Sequence, residues 1–516
     1  IAITSSVVLL CSGFALYSFF RLSAAEGQKD FNLYELVPST TSAVFVTDDV
    51  LEFVAEVDEL TCSKNQQYLY VSKLFSYLKQ SLYALSEDTP HGLSRQMNQM
   101  LISFHEPDNE RNQVLYCRLG NGDKELVNRF VRKYISSLYP PKTFIYKGEE
   151  IIIYPMADGD FLACYLTSDF MALSFQKKLI ENVIDAYKSG KSLADDSTFT
   201  GIRAPKKSAA AATIYTRMQG MMGWTEFDMK MKDDFIYFSG ITHDADTCFA
   251  FINQLRQQQS VKGFPGEVLP STAFYFSRQG ITDWVSLLSY GNAQGQSVPA
   301  RTSEVQNRDK EFSRYLMENA GQDLVACLFQ REDTLQDAAA VLSLSVADVT
   351  EAERMLRALV NAASADEGRR NPRITFCYTV NKAYPIYRLP QTTLFEQLTS
   401  FAEPTLDVYA AFYGGRLLLA PDADALAHYI RQLDKGEVLN GAMAYQTGMD
   451  HLSDSYHFML MVDFDHIFQQ SENHVRFVPD FFLRNADFFR HFTLFVQFAC
   501  ADGMVYPNIV LKYKSE

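Results

Sequence analysis

Two stretches of 18 residues indicate the domain architecture of this chain: Leu173–Gly190 (LSFQKKLIENVIDAYKSG) and Leu419–Gly436 (LAPDADALAHYIRQLDKG). They align without a gap, and in each a strand-like end leads into an amphipathic helix that closes with Lys-x-Gly or Lys-Gly. Self-similarity at a fixed spacing is the first signal to use, because it sets the architecture. The spacing here is the size of a domain, so it predicts a duplicated domain and not a solenoid.

A second pair of matching segments lies upstream of these stretches. Val37-Pro38-Ser39-Thr40 and Leu269-Pro270-Ser271-Thr272 each open an apolar and then helical region, and the sequence VKGFPG at 261–266 has the Pro and Gly content of a boundary. Strands joined by tight turns pair antiparallel, and helices inserted between hairpins cover one face of the sheet. The predicted fold class is α+β, with two tandem similar domains, 34–262 and 266–516, each a mainly antiparallel sheet with helices packed on it.

The first twenty residues, IAITSSVVLLCSGFALYSFF, carry no charge and are followed by Arg21. A helix of twenty residues spans about 30 Å, the hydrocarbon thickness of a bilayer. We therefore predict an N-terminal transmembrane helix at 1–21 and a tether at 22–33. Ser23-Ala24-Ala25 could serve instead as a signal-peptide cleavage site, which leaves secretion after cleavage near Ala25 as the alternative.

The composition excludes some partners and some chemistry. The formal net charge of -15 argues against nucleic acid as a partner, because binding a phosphate backbone needs a basic face. Beyond Cys11 there are seven further cysteines, an odd number, and no Cys-x-x-Cys pair. Their positions in apolar runs favour small buried hydrophobic residues over a redox or zinc site. We therefore predict no cofactor.

The best candidate for an acid–base or metal site is the C-terminal group of histidines and aspartates. His457, Asp463 and Asp465 share one side of a predicted strand, but six residues of strand cover about 20 Å. Asp465 is interpreted as a helix N-cap, and no residue is assigned as catalytic, cofactor-binding or metal-ligating. The sequence contains no G-x-S-x-G, Walker or H-E-x-x-H motif. The other histidines of this group are His428, His451, His466, His474 and His491.

Two apolar stretches are candidates for binding a partner, because exposed apolar patches mark interaction sites and methionine adapts to varied surfaces. The alternative is core packing, since apolar residues at helical spacing usually point inward. The candidate residues are Met218, Met221, Met222, Trp224, Phe481, Phe482, Phe488 and Phe489.

The apolar N-terminus, the V/L-P-S-T opening after a short tether and the duplicated α+β body resemble an uncharacterised family of bacterial exported or membrane-anchored envelope proteins. The resemblance implies a location in the bacterial envelope. Together with the predicted anchor, this leads us to expect a single-pass protein of the inner membrane with its soluble body in the periplasm. The resemblance implies no known activity, and no functional residue can be carried over from it.

The function predicted from these features is that of a non-enzymatic, membrane-anchored envelope protein that binds or scaffolds an envelope or membrane protein. One alternative is a chaperone or carrier for apolar clients or lipids, which requires the methionine and phenylalanine side chains to be exposed. Another is a hydrolase using the C-terminal histidines and aspartates, which requires several of them to converge. The sequence leaves the oligomeric state and the disulfide pairing open.

Overall fold

The structure is a computed structural model that describes residues 31–65, 98–105, 111–120, 123–130, 139–156, 159–203, 210–217, 223–242, 250–288, 302–331, 338–366, 374–380, 382–399, 405–470 and 478–514. The predicted anchor and most of the predicted tether lie outside these residues.

The predicted fold class is wrong. The structure has a large antiparallel sheet of 20 strands with helices, in place of two tandem domains that each have a separate sheet. Among the residues that the structure describes, no helix is both long and apolar enough to cross a membrane. Two compact units divide the chain, unit 1 with Ile1–Leu51 and Ser72–Thr200, and unit 2 with Glu52–Val71 and Gly201–Glu516.

The division at residue 200 differs from the boundary expected at 262–266, and strand pairing gives the physical reason. The hairpin formed by Thr225–Lys232 and Phe235–Thr242 pairs antiparallel with the C-terminal strand Met504–Tyr513, for example at Phe238 and Ile509. Backbone ladders of this kind hold residues 225–242 to the end of the chain. The Pro- and Gly-rich segment at 261–266 therefore lies within unit 2.

Among the described residues of unit 1 there are seven strands, and two helices fall wholly within the unit. Its strands are β1 (Ala43–Thr47), β2 (Met100–Phe104), β3 (Gln113–Arg118), β4 (Lys142–Tyr146), β5 (Glu149–Pro155), β6 (Phe161–Leu166) and β7 (Phe170–Ser174). The helices of this part of the chain are α1 (Val50–Glu59), α2 (Thr61–Lys64), α3 (Asp123–Phe130), α4 (Lys177–Ser189) and α5 (Ser197–Ile202), with 3-10 turns at Leu33–Glu35 and Leu193–Asp195. Helices α1 and α5 each cross a boundary between the units, and α2 belongs to unit 2.

Unit 2 contains the remaining strands. They are β8 (Ala212–Thr216), β9 (Thr225–Lys232), β10 (Phe235–Thr242), β11 (Val261–Lys262), β12 (Ala273–Gly280), β13 (Ala320–Gln330), β14 (Ala338–Val346), β15 (Ile374–Tyr378), β16 (Ala383–Arg388), β17 (Tyr409–Tyr413), β18 (Arg416–Ala420), β19 (Ser455–Tyr456), β20 (Phe458–Asp463), β21 (Phe492–Ala501) and β22 (Met504–Tyr513).

The helices of unit 2 that follow β10 are mostly short. They are α6 (Ala250–Arg256), α7 (Ser303–Asn319), α8 (Val349–Asp366), α9 (Leu394–Leu398), α10 (Ala423–Asp434), α11 (Met443–Met449), α12 (Phe464–Phe468), α13 (Asp480–Arg484) and α14 (Ala486–Phe489), with 3-10 turns at Pro265–Val268 and Leu439–Gly441.

The same strand order occurs once in each unit. In unit 1 the ladder runs β1–β2–β3–β7–β6–β5–β4. In unit 2 it runs β12–β13–β14–β18–β17–β16–β15. From β12 the sheet of unit 2 continues through β20, β21, β22, β10 and β9 to β8. Strands β4 and β15 therefore occupy the same place at the end of one order.

The V/L-P-S-T motif contacts the chain just after the shared helix in the same way in both units. Leu193 N donates to Val37 O at 2.9 Å, and Leu439 N donates to Leu269 O at 2.9 Å. The proline of each motif forms an isolated antiparallel bridge, Pro38 to Ser192 and Pro270 to Val438. The V/L-P-S-T motif near the start of each predicted repeat thus pairs with the chain that leaves the shared helix. The matching stretches recur together because each half of the contact needs the other.

The shared helices bury one apolar face against their own sheet. In α4 the buried face includes Ile180, Val183 and Ile184, at the spacing of successive helical turns. The helix is followed by Gly190 at φ 63, the left-handed conformation that glycine adopts without a Cβ penalty. In α10 the corresponding face includes Leu426 and Ile430, which are fully buried.

Candidate functional site

The methionine-rich candidate stretch is described only at its end. Met218, Met221 and Met222 lie outside the described residues, while Trp224 is 1% exposed. The Arg217 guanidinium lies 4.9 Å from the centroid of the Trp224 ring. Trp224 is therefore a packed side chain and offers no surface to a client.

The structure brings the four candidate phenylalanines together with Phe464. Phe482 has its ring centroid 4.9 Å from that of Phe464 and 4.8 Å from that of Phe489, and Phe488 lies 5.1 Å from Phe489. Phe489 is buried, Phe482 and Phe488 are half-buried, and Phe481 is 51% exposed. These rings pack mainly against one another at α12–α14, and Phe481 is the member that faces solvent.

The C-terminal histidines of the described residues do not converge. His457 Nδ1 accepts from Cys500 N at 3.1 Å, His451 Nδ1 lies 3.3 Å from Tyr237 Oη, and His428 Nδ1 lies 3.4 Å from Asp424 Oδ1. His491 lies near Tyr513, with ring centroids 6.3 Å apart. His474 is outside the described residues. No group of three or more potential metal ligands occurs in the part of the chain that the structure describes.

One acid–base cluster does form, around Asp463. Its Oδ1 accepts from Lys514 Nζ at 2.6 Å, and its Oδ2 lies 3.3 Å from His466 Nδ1. Burial alone would raise the pKa of Asp463, but His466 and Lys514 lower it below its usual value, and the bond to Asp463 raises the pKa of His466. Asp463 also accepts from the backbone N of Asp465 and His466. The N-cap of α12 is thus Asp463 and not Asp465, and the cluster fixes the start of a helix.

A serine–histidine pair in unit 1 escaped the sequence analysis. Ser103 Oγ lies 2.9 Å from His105 Nε2 and 3.0 Å from Tyr116 Oη. Ser103 and Tyr116 are both fully buried, and burial lowers the pKa of His105 to about 4. A buried hydroxyl cannot meet a substrate, so the pair satisfies core polar groups. Ser103 lies in β2 and His105 directly follows the end of that strand, so sequence shows that the two are close, but their burial is a tertiary property.

The cysteines of the described residues carry no special reactivity. Cys62, Cys117, Cys164, Cys327 and Cys377 are buried and Cys500 is half-buried, and all six are free thiols. Burial raises the pKa of Cys164 to about 12 and of Cys500 to about 11. These thiols therefore stay protonated near neutral pH, which suits the expected role of small buried side chains.

A buried ionic cluster in unit 2 was also missed. Asp323 accepts from Arg278 Nε at 3.0 Å and from Arg416 Nη1 at 3.2 Å, and Arg278 Nη1 also donates to Gly263 O at 2.7 Å. Burial would raise the pKa of Asp323, but Arg416, the hydrogen bond from Ser345 and Arg278 lower it. The cluster ties β12, β13 and β18 to the segment after β11. The residues of this cluster are far apart in sequence, so no local sequence pattern predicts it.

The apolar surface with the strongest functional signal is strand β15. Ile374, Phe376 and Tyr378 alternate along it and are 38%, 53% and 71% exposed, whereas Cys377 on the other face is fully buried. Cys377 Sγ donates to Ala427 O of α10 at 3.5 Å, which anchors the strand to the unit. In the described residues, β15 has a ladder partner on one side alone, β16. The strand thus presents apolar side chains at an open edge.

The backbone of the same residues is also available. Thr379 N donates to Lys382 O at 3.0 Å, which makes this pair the closing hydrogen-bonded pair of the β15–β16 hairpin. Hydrogen-bonded and non-hydrogen-bonded pairs alternate along an antiparallel ladder. Cys377 and Thr375 therefore bond inward, and the N–H and C=O groups of Phe376 and Tyr378 point to the open edge. We call Ile374, Phe376 and Tyr378 the β15 edge.

No family model matches this chain, no curated protein matches it, and no solved structure matches it.

Proposed function

We propose that this chain is a non-enzymatic binding protein that takes up an extended segment of a partner protein at the β15 edge. The observation that carries the proposal is the coincidence of outward-facing backbone groups with exposed apolar side chains on the same residues. Strand addition uses both features, since backbone bonds supply affinity and alternate side chains supply specificity.

The charge pattern of the edge defines the occupant. Natural sheets protect free edges with lysine, proline or a bulge, because an open edge is a template for pairing. The sequence of β15, Ile-Thr-Phe-Cys-Tyr, has none of these residues. Directly opposed side chains interact across a ladder, so the partner segment is expected to be uncharged, with apolar residues at every second position.

A second copy of the chain is a less suitable occupant than a different protein. The formal charge of -15 makes two copies repel one another as they approach. The partner class in the proposal is accordingly another protein with a free, uncharged strand-forming segment. Location in a bacterial envelope and the chaperone alternative stay predictions.

The hydrolase alternative gains no support from the geometry. The C-terminal histidines of the described residues bind separate partners, and Asp463 is held by Lys514, His466 and the backbone at the start of α12. A general base needs a reacting group within hydrogen-bond reach.

The test uses photocrosslinking followed by titration. A photoreactive phenylalanine analogue is placed at Phe376 in the full chain, the native partner peptide that it captures is sequenced, and that peptide is synthesised. We expect Phe376→Pro, which removes the outward N–H, to weaken binding of the peptide about tenfold or more. Phe376→Leu keeps the N–H and an apolar side chain, and it should bind within a few-fold of wild type.

The matched control is Ile145, which has the equivalent ladder position on β4 and is 70% exposed. Ile145→Pro should leave binding of the captured peptide unchanged. Equal binding by wild type and Phe376→Pro would refute strand addition at β15, as would capture of an identical set of peptides from both positions.

A further inference from the structure

The end of helix α6 covers a part of unit 2 that none of the sites above uses. The ring of Phe251 in α6 lies 5.1 Å from that of Phe458 and 6.0 Å from that of Phe498, measured between centroids. Phe458 and Phe498 are directly paired on β20 and β21, so α6 sits on this face of the sheet. Gln279 of β12 is directly paired with Phe458 and shares the face.

The chain that leaves α6 is held over the ends of the same three strands. Gln258 Oε1 accepts from Thr282 N at 2.8 Å and from Asp283 N at 3.1 Å, just beyond β12. Gly280 N donates to His457 O at 3.0 Å, and Cys500 N donates to His457 Nδ1 at 3.1 Å. Arg256, in the last turn of α6, is close enough to Cys500 for its charge to oppose the effect of burial on the pKa of that thiol.

Several hydrogen-bond donors at this end of the helix are buried without an acceptor. Within the part of the chain that the structure describes, Arg256 Nε and Nη2, Gln258 Nε2 and Gln279 Nε2 have no partner, although each atom is shielded from solvent. The amide of Gln254, a residue 4% exposed, is unpaired at both of its polar atoms. Gln258 is 5% exposed. Buried donors normally have acceptors, and a buried guanidinium without one is costly.

We propose that this region, the α6 end, binds a small oxyanion through Arg256. The Nε and Nη2 atoms form one edge of the guanidinium, and their two parallel N–H groups match the two oxygens of a carboxylate or of a phosphate. The neighbouring unpaired groups are mainly amide donors, which also favour an acceptor-rich ligand. The phenylalanine pair beneath α6 supplies an apolar floor beside the charge. This site is independent of the β15 edge.

The experiment titrates the purified full chain, in a chloride buffer, with sodium acetate, sodium propionate and inorganic phosphate separately. Isothermal calorimetry gives the affinity, and the thermal midpoint gives a second readout. We expect saturable binding of at least one anion and a rise of the midpoint with its concentration. Tighter binding of propionate than of acetate assigns the site to carboxylates, and binding of phosphate alone assigns it to phosphate.

Two variants and a control make the result decisive. Arg256→Gln should weaken the bound anion about tenfold or more, because it removes a charge-assisted pair of bonds. Arg256→Lys keeps the charge but loses the two-pronged edge, so its affinity should fall between the two. Arg314→Gln, an exposed arginine on α7, should leave affinity unchanged. Absence of saturable binding of all three anions to the wild type, or equal affinities for wild type and Arg256→Gln, would overturn the proposal.

Discussion

Unit 1 and the β12–β18 part of unit 2 share a strand order but fill one ladder position with opposite chemistry. Phe170 lies opposite Arg118 in unit 1, and Arg416 lies opposite Ser345 at the equivalent place in unit 2. Phe170 packs among aromatic rings, 4.8 Å from Phe31 and 5.3 Å from Tyr165 between centroids. Arg416 instead bonds Asp323. The order of strands thus tolerates either chemistry, provided that the buried group is matched by its neighbours.

The two end strands differ in a second way. β4 begins with Lys142 and is followed by Lys147, whose Nζ lies 2.7 Å from Asp185 Oδ1. β15 has no charged residue in its five positions. Lysine on an edge opposes pairing with another chain. Strands that are equivalent in topology thus differ in edge chemistry, since β4 carries lysine and the five residues of β15 carry no charge.

The largest loss of stability is expected at the Asp323 cluster of unit 2. Asp323→Asn removes a buried charge that binds two partly buried arginines, and breaking a buried pair in this way costs about 3–5 kcal/mol. Hydrogen exchange of the β13 amides, read by mass spectrometry, measures the loss locally. Asp502→Asn, at an exposed turn with φ 52, is the control and should change stability by less than about 0.5 kcal/mol. Unchanged β13 protection in Asp323→Asn would show that the cluster contributes nothing.

The same cluster predicts a pH dependence that unit 1 lacks at the equivalent position. The folded-state pKa of Asp323 is lowered, so its contribution is present above the unfolded pKa of about 4 and is lost as pH falls through the folded value. Protection of β13, corrected for intrinsic exchange, should fall more steeply in acid for wild type than for Asp323→Asn. Parallel pH profiles of the two proteins would contradict this assignment.

At Phe170 in unit 1, stability should depend on the volume of the side chain and not on pH. Phe170→Ala leaves a cavity in a fully packed site, since Phe170 is 1% exposed, and should cost about 3–4 kcal/mol. Hydrogen exchange of β7 and β6 measures the effect, and Phe161→Ala, at a 42% exposed position on β6, is the control. A loss in Phe170→Ala that disappeared in acid would contradict the assignment of this position to aromatic packing.

A smaller difference concerns the starts of the shared helices. Asp422 Oδ1 accepts from Ala425 N at 2.7 Å and caps α10, whereas the N-cap Gln176 of α4 makes no such bond. Asp422→Ala should therefore cost about 1 kcal/mol and bring exchange in the first turn of α10 closer to that of α4. If the first turn of wild-type α4 exchanges as slowly as that of α10, the cap does not distinguish the two helices.

The smallest expected effect tests the likeness of the two helix ends. Gly190 and Gly436 have φ of 63 and 74, and neither has a neighbour within 4 Å of a built Cβ atom. Alanine at either position should cost about 1 kcal/mol through backbone strain alone. Equal shifts of the thermal midpoint, each measured for the unit that carries the substitution, would support equivalent geometry at the two helix ends. A marked difference would show that other contacts hold one of these ends.

The repeated stretches were recognisable in sequence because their signals are local. The apolar face of α4, its closing glycine and the hairpin glycines at 414–415 depend on residues a few positions apart. The large sheet was not foreseen, because the pairing of β10 with β22 joins segments more than 250 residues apart. The phenylalanines at 481–489 were identified as a group, but their mutual packing was not.

The sequence by itself determined many of the strands and helices, the recurrence of the V/L-P-S-T motif and of the shared helix, and the buried character of the cysteines. The contact between motif and helix exit came from the tertiary structure. Only the tertiary structure decided which apolar residues stay exposed, since Phe376 and Cys377 are neighbours in sequence but the first is exposed and the second is buried. The tertiary structure also decided which charges form ion pairs, as for Asp323, and which hydrogen-bond donors lack an acceptor, as for Arg256. The physical reason is that exposure and pairing depend on neighbours supplied by distant parts of the chain.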